Sequence, residues 1–68
     1  MKLSARNMLP GKVQEIVKGQ TTSHVKIKIA AGIVVTASIT NEAVDELVLK
    51  KGDKVSAIVK ASDVIVGK

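Results

Sequence analysis

Between His24 and Thr40 the chain alternates residue by residue, with one break at Ala31-Gly32. Val25, Ile27 and Ile29 take one parity, and His24, Lys26 and Lys28 the other. After the break, Ile33, Val35, Ala37 and Ile39 alternate with Val34, Thr36, Ser38 and Thr40. Side chains along a strand point to opposite faces in turn, so this spacing belongs to two half-buried strands. The short break predicts that they return antiparallel, as a hairpin turning at Gly32.

The flanking segments extend the same pattern. Upstream, Leu9, Gly11, Val13 and Val17 share one parity while Lys12, Gln14 and Lys18 take the other, up to a turn at Gly19. Pro10, which lacks an amide donor, suits a strand start or an edge. Downstream of a turn at Lys50-Lys51-Gly52-Asp53, Val55, Ala57 and Val59 alternate with Ser56 and Lys60, and Val64 to Val66 is predicted to form a fifth, shorter strand. The period changes between the third and fourth strands. There Thr40 or Asn41 can cap a helix, Glu42 and Asp45 suit its positive end, and Ala43, Val44 and Leu47 share one face. Three strands, a short helix and two more strands is the order of an all-β OB-fold, a five-stranded Greek-key barrel. The helix is expected to lay Val44 and Leu47 across the open end of that barrel. No repeat, linker or low-complexity tract divides residues 1–68, which predicts a single domain.

A chain of 68 residues supports only a small core, and this one has no cysteine and a single histidine, His24, so neither disulfides nor a thiolate zinc site stabilises it. With 46% hydrophobic residues and no aromatic one, Val, Ile, Leu and Ala must fill both the core and any subunit contacts, and self-association is expected. The net charge of +5 points to anionic partners. No apolar run approaches a membrane span and residues 1–10 lack the apolar stretch of a secretory signal, which suggests a cytoplasmic protein with no membrane partner. No nucleophile and base stand at a suggestive spacing, and Asp53 and Asp63 read as turn residues, so binding without turnover is expected.

Two short segments carry the chemistry: Ser4-Ala5-Arg6-Asn7 and Lys60-Ala61-Ser62-Asp63. Each sets a cation beside small residues that offer hydroxyl or amide donors, as a tetrahedral oxyanion requires. Arg6 supplies a fork of N–H groups and a fixed charge, with Ser4 on the same side of an extended segment. Lys60 closes the fourth strand, and the amides of Ala61 and Ser62 form a compact donor cluster. A solvated basic terminus and a plain strand-end turn account for the same residues, unless a small β fold brings them together. At the helix start, the amides near Thr40 and Ala43 favour negative charge, although ordinary capping explains them equally. The polar run Lys18-Gly19-Gln20-Thr21-Thr22-Ser23-His24 reads as a hairpin loop or as a second oxyanion site, with His24 a surface strand residue or a minor contributor. With amides, hydroxyls and cations but no obvious carboxylate acceptor, such sites prefer a fully deprotonated dianion over monohydrogen phosphate.

Six pieces in order, Ser4-Ala5-Arg6-Asn7 with Leu9 and Gly11-Lys12-Val13, Ile16-Val17-Lys18-Gly19, Ala43-Val44-Asp45-Glu46-Leu47, Lys51-Gly52-Asp53-Lys54-Val55 and Val59-Lys60-Ala61-Ser62-Asp63-Val64, resemble the Mop family of molybdate-binding proteins, the molbindins, over the full length of the chain. The resemblance implies a Mop-type OB barrel, a homohexamer built as a trimer of dimers, and molybdate or tungstate bound between subunits for storage or buffering, with no other cofactor. It implies that Ser4, Arg6 and the backbone around Ala5 contact the oxyanion and that Lys60, beside Ala61 and Ser62, neutralises it. A neighbouring subunit would present Thr40 and Ala43. Lys18-Gly19, with Gln20, Thr22 and His24, resembles a region near the threefold axis where further sites occur. At Ala43 and Ala61 the chain departs from relatives that carry serine, and weaker binding is the implied consequence. The competing reading is an OB module that binds single-stranded nucleic acid by electrostatics, but no aromatic side chain is present to stack on bases.

Overall fold

The structure, a computed structural model, describes residues 6–68. Strands β1 (Asn7–Lys18), β2 (Thr22–Ala30) and β3 (Ile33–Thr40) lead into a short helix α1 (Asn41–Glu46), followed by β4 (Lys54–Val59) and a 3-10 turn at Ala61–Asp63. The strands form an antiparallel sheet in the order β3-β2-β1-β4. β1 is long enough to serve two neighbours. Its first half pairs with β4, from Asn7↔Val59 to Lys12↔Lys54, and its second half with β2, from Lys12↔Lys28 to Lys18↔Ser23. Changing partners along one strand coils the sheet into a half-barrel of OB type, with α1 packed against β2 and β3.

Turn chemistry sets the connections. Gly32 and Gly52 hold φ of +78° and +93°, the left-handed region that glycine enters without a steric penalty. The second turn is closed by the Lys50 amide donating to Asp53 Oδ2 at 2.9 Å and the Asp53 amide donating to the Lys50 carbonyl at 3.1 Å. The core is aliphatic: Val13, Val25, Ile27, Val44 and Ala57 are buried, with Leu9, Ile16, Val35, Ile39 and Leu49 among those packed around them. At Gly11 the backbone of β1 passes close to β2, and a Cβ there would stand 2.5 Å from the Lys28 carbonyl oxygen.

Three expectations change. The pairing of β1 with β2 slips between Val13 and Glu15, leaving Gln14 as a β-bulge. One extra residue reverses the parity, so Ile16 turns inward opposite Val25 while Val17, expected on the core face, is 50% exposed. In the helix, Val44 is buried as expected but Leu47, at the C-cap, is 65% exposed, and Leu49 packs on the core instead. α1 ends with the Leu49 amide donating to the Val44 carbonyl and the Val48 amide to that of Asp45, each at 3.1 Å, which leaves Val48 at φ +51°.

The third change concerns Val64–Val66, which form no strand. After Val59 the 3-10 turn, closed by the Asp63 amide on the Lys60 carbonyl and the Val64 amide on that of Ala61, leads the chain away from its own sheet. Ile65 and Val66 are 92% and 89% exposed, and among the described residues the sheet has four strands rather than five. Between its edges β3 and β4 lies an apolar cleft of about 370 Å³, lined by Val35, Ala37 and Ile39 on one side and Val55, Ala57 and Val59 on the other.

Candidate oxyanion site

The pairing of β1 with β4 brings the two ends of the chain together. Asn7 stands opposite Val59, and its side-chain Nδ2 donates to the Val59 carbonyl at 3.1 Å. Arg6 and Lys60 are the next residues beyond that pair, one before β1 and one after β4, and both are exposed. Lys60, extended at φ −66° and ψ 141°, leads directly into the 3-10 turn. Ala61 and Ser62 open that turn, so their amides have no carbonyl within it to bond. No ion pair neutralises Arg6 or Lys60 among the described residues. Two adjacent positive charges beside free amides can hold a dianion. Ser4 and Ala5, expected at the same site, lie outside the described residues.

The helix start belongs to the other end of the molecule. Thr40 is its N-cap, and its Oγ1 accepts from the Ala43 amide at 3.0 Å. That amide is therefore engaged within the chain, while the Thr40 hydroxyl keeps its own proton to donate. Asn41 clasps the β1–β2 turn: Nδ2 donates to the carbonyls of Gly19 and Gln20 at 3.0 and 3.3 Å, and its amide to that of Thr21 at 2.9 Å. The Ser23 hydroxyl, fully buried, donates to Asn41 Oδ1. Gly19 closes the turn with a 2.8 Å bond to the Thr22 carbonyl.

The residues expected at a second site thus stand with the helix start. Lys18, Gly19, Gln20 and Thr22 sit beside Thr40 and Asn41, and Lys18 Nζ is held by Asp45 Oδ1 at 2.9 Å. His24 lies farther along β2, exposed between Val17 and Ser38. Because β1 has Arg6 before one end and Lys18 at the other, a single chain keeps Thr40 and Ala43 apart from Arg6 and Lys60. The two groups of candidate residues therefore lie at opposite ends of β1.

Sequence reasoning missed the Asn7 bond and the Ser23–Asn41 clasp. One signal was present for the second: Ser23 shares the inward parity of Val25 and Ile27, and a polar residue on a core face must find a partner.

Residues 3–66 match the TOBE domain family. Molybdenum-pterin-binding protein 2 of Clostridium pasteurianum is 42% identical over 66 residues, covering 97% of each chain. Among solved structures, a molybdate binding protein from Sporomusa ovata superposes with a TM-score of 0.93 at 43% identity, covering 100% of both chains. The cytoplasmic molybdate-binding protein ModG, solved with molybdate bound, gives a TM-score of 0.90 at 45% identity over 96% of this chain and 46% of its own.

Proposed function

Since the chain belongs to the TOBE domain family, we propose that it binds molybdate, and tungstate with it, at sites formed between subunits of a homo-oligomer. The observation that carries this reading is the Asn7–Val59 pair, which Arg6 and Lys60 directly flank, with Ala61 and Ser62 opening the turn that follows. Ser4 and the backbone of Ala5 would complete that half. Two fixed cations balance a dianion, and the surrounding donors match oxygens that carry no proton. The other half is the helix start, where the Thr40 hydroxyl and the first turn of α1 from a neighbouring copy meet the anion. With alanine at 61 that position offers its backbone amide alone, and because the Ala43 amide is held by Thr40 Oγ1, the Thr40 hydroxyl is the donor at the helix start.

Self-association has its own support. The cleft between β3 and β4 is apolar and bounded by the two edge strands, and Val64–Val66 is an exposed β-branched segment with no strand partner among the described residues. The segment from one copy would fill the cleft of another and complete a five-stranded barrel. Three such dimers make the hexamer that we propose. Lys18, Gly19, Gln20, Thr22 and His24, repeated around a threefold axis, would form a second class of site. The role is storage or buffering of the oxyanion in the cytoplasm, by binding without turnover.

Titration calorimetry with molybdate, tungstate, sulfate and phosphate, beside mass measurement in native buffer, tests both parts. Molybdate and tungstate should bind an assembled species while phosphate does not. A stable monomer that binds none of the four would overturn the proposal.

A further inference from the structure

Lys12 is paired with lysine on both sides. It stands opposite Lys28 of β2 and opposite Lys54 of β4, at the point where β1 changes partners. Residues directly opposite one another share a face, and Val13, Ile27 and Val55 beside them take the core face, so all three lysines point outward and are exposed. With neighbouring strands about 4.8 Å apart, three ammonium-bearing stems cross roughly 10 Å of sheet.

Like charges placed directly opposite destabilise a sheet, and a surface needing only solubility would alternate its signs. No carboxylate stands within 4 Å of the Lys12, Lys28 or Lys54 ammonium group among the described residues. Glu15 pairs with Lys26, Asp45 with Lys18, and the Asp53 carboxylate accepts from the Lys50 amide; Glu42 and Glu46 belong to α1 and Asp63 to the 3-10 turn. A repulsion held across three strands is a local conflict of the kind that an external partner resolves.

We infer that the outward face of β1, β2 and β4 binds a linear chain of inorganic phosphate through Lys12, Lys28 and Lys54. The outer face of a coiled sheet is convex and cannot enclose a small anion, but a flexible chain of repeated negative charges can lie across it and meet each ammonium in turn. Lysine supplies point charges with freely turning donors, suited to oxygens at varying angles rather than to one bidentate geometry. The chain has no aromatic residue, so nucleic acid bases gain nothing on this face. The inference is independent of the oxyanion site, which lies beyond the Asn7 end of β1 and uses other cations.

The test titrates the full-length protein with long-chain inorganic polyphosphate at several salt concentrations. It compares the variant Lys12→Gln/Lys28→Gln/Lys54→Gln with Lys50→Gln/Lys51→Gln/Lys68→Gln, which loses the same charge elsewhere. The first should weaken binding roughly tenfold and flatten the salt dependence, while the second changes affinity far less. Saturating molybdate should not displace the polymer. Lys12→Gln alone, at the centre of the row, should show the same direction and keeps the test open if the triple variant fails to fold. Equal losses in the two triple variants, absence of polyphosphate binding, or single-stranded DNA of equal phosphate count binding as tightly would each overturn the inference.

Discussion

Asn7 Nδ2 donates to the carbonyl of Val59 at 3.1 Å, a bond between residues 52 positions apart at the pair that Arg6 and Lys60 directly flank. Arg6→Ala and Lys60→Ala should each reduce molybdate affinity by roughly tenfold or more, the scale of one lost charge-assisted hydrogen bond at about 1.5–3 kcal/mol. Asn7→Ala keeps both charges and should cost less. Equilibrium dialysis at fixed ionic strength measures all three. Wild-type affinity in both charge variants would remove these side chains from the site.

Gly11→Ala tests the approach of β1 to β2. A methyl group 2.5 Å from the Lys28 carbonyl oxygen must push backbone rather than a side-chain tip. Overpacking of this kind costs about 1–3 kcal/mol. Urea unfolding should show a lower midpoint with an unchanged slope.

Val48→Gly should act in the opposite direction. Left-handed backbone costs an L-residue about 1–2 kcal/mol, and a β-branched side chain is among the least tolerant. The turn that closes α1 needs that conformation at Val48 and no hydrogen bond from its side chain. A gain of about 1 kcal/mol, read as a rise of roughly 4–8 °C in melting temperature, is expected. A lower melting temperature would mean that the Val48 side chain makes a contact worth more than the strain.

The Ser23–Asn41 clasp predicts an order of effects. Ser23→Ala removes one hydrogen bond, at a cost of about 1 kcal/mol. Asn41→Ala leaves the Ser23 hydroxyl buried without its partner and releases the carbonyls of Gly19 and Gln20, so it should cost more. Amide exchange at Gly19, whose N–H is held by the Thr22 carbonyl, should speed up further in Asn41→Ala than in Ser23→Ala.

Ile65→Asp places a charge in the segment proposed to fill a neighbour's cleft. Ile65 is 92% exposed in the single chain, so the folded protomer should tolerate the change while the assembly does not. Native mass measurement should register smaller species. An intact hexamer would assign the cleft to something else.

Much of this was legible in the residues. The alternation from His24 to Thr40 yields β2 and β3, Gly32 marks the turn between them, Gly52 the turn before β4, and Thr40 caps α1. The failures share a cause, in that each depends on one element's position relative to another. Gln14 carries no mark of a bulge, because the slip arises from how β1 coils past β2, and Val17 is misplaced as a result. Val64–Val66 has the composition of a strand, but composition does not say which chain supplies the partner. The anion chemistry proposed for Arg6 and Lys60 rests on their residue types, whereas the separation of Thr40 from them follows from the length of β1.

The junction of β1 with β4 also sets an order of events during synthesis. Residues Asn7–Lys12 find their partners only in Lys54–Val59, so no protomer can present Arg6 and Lys60 together to an anion until β4 has been synthesised. A truncated product, however well its first hairpin folds, arrives without this pair.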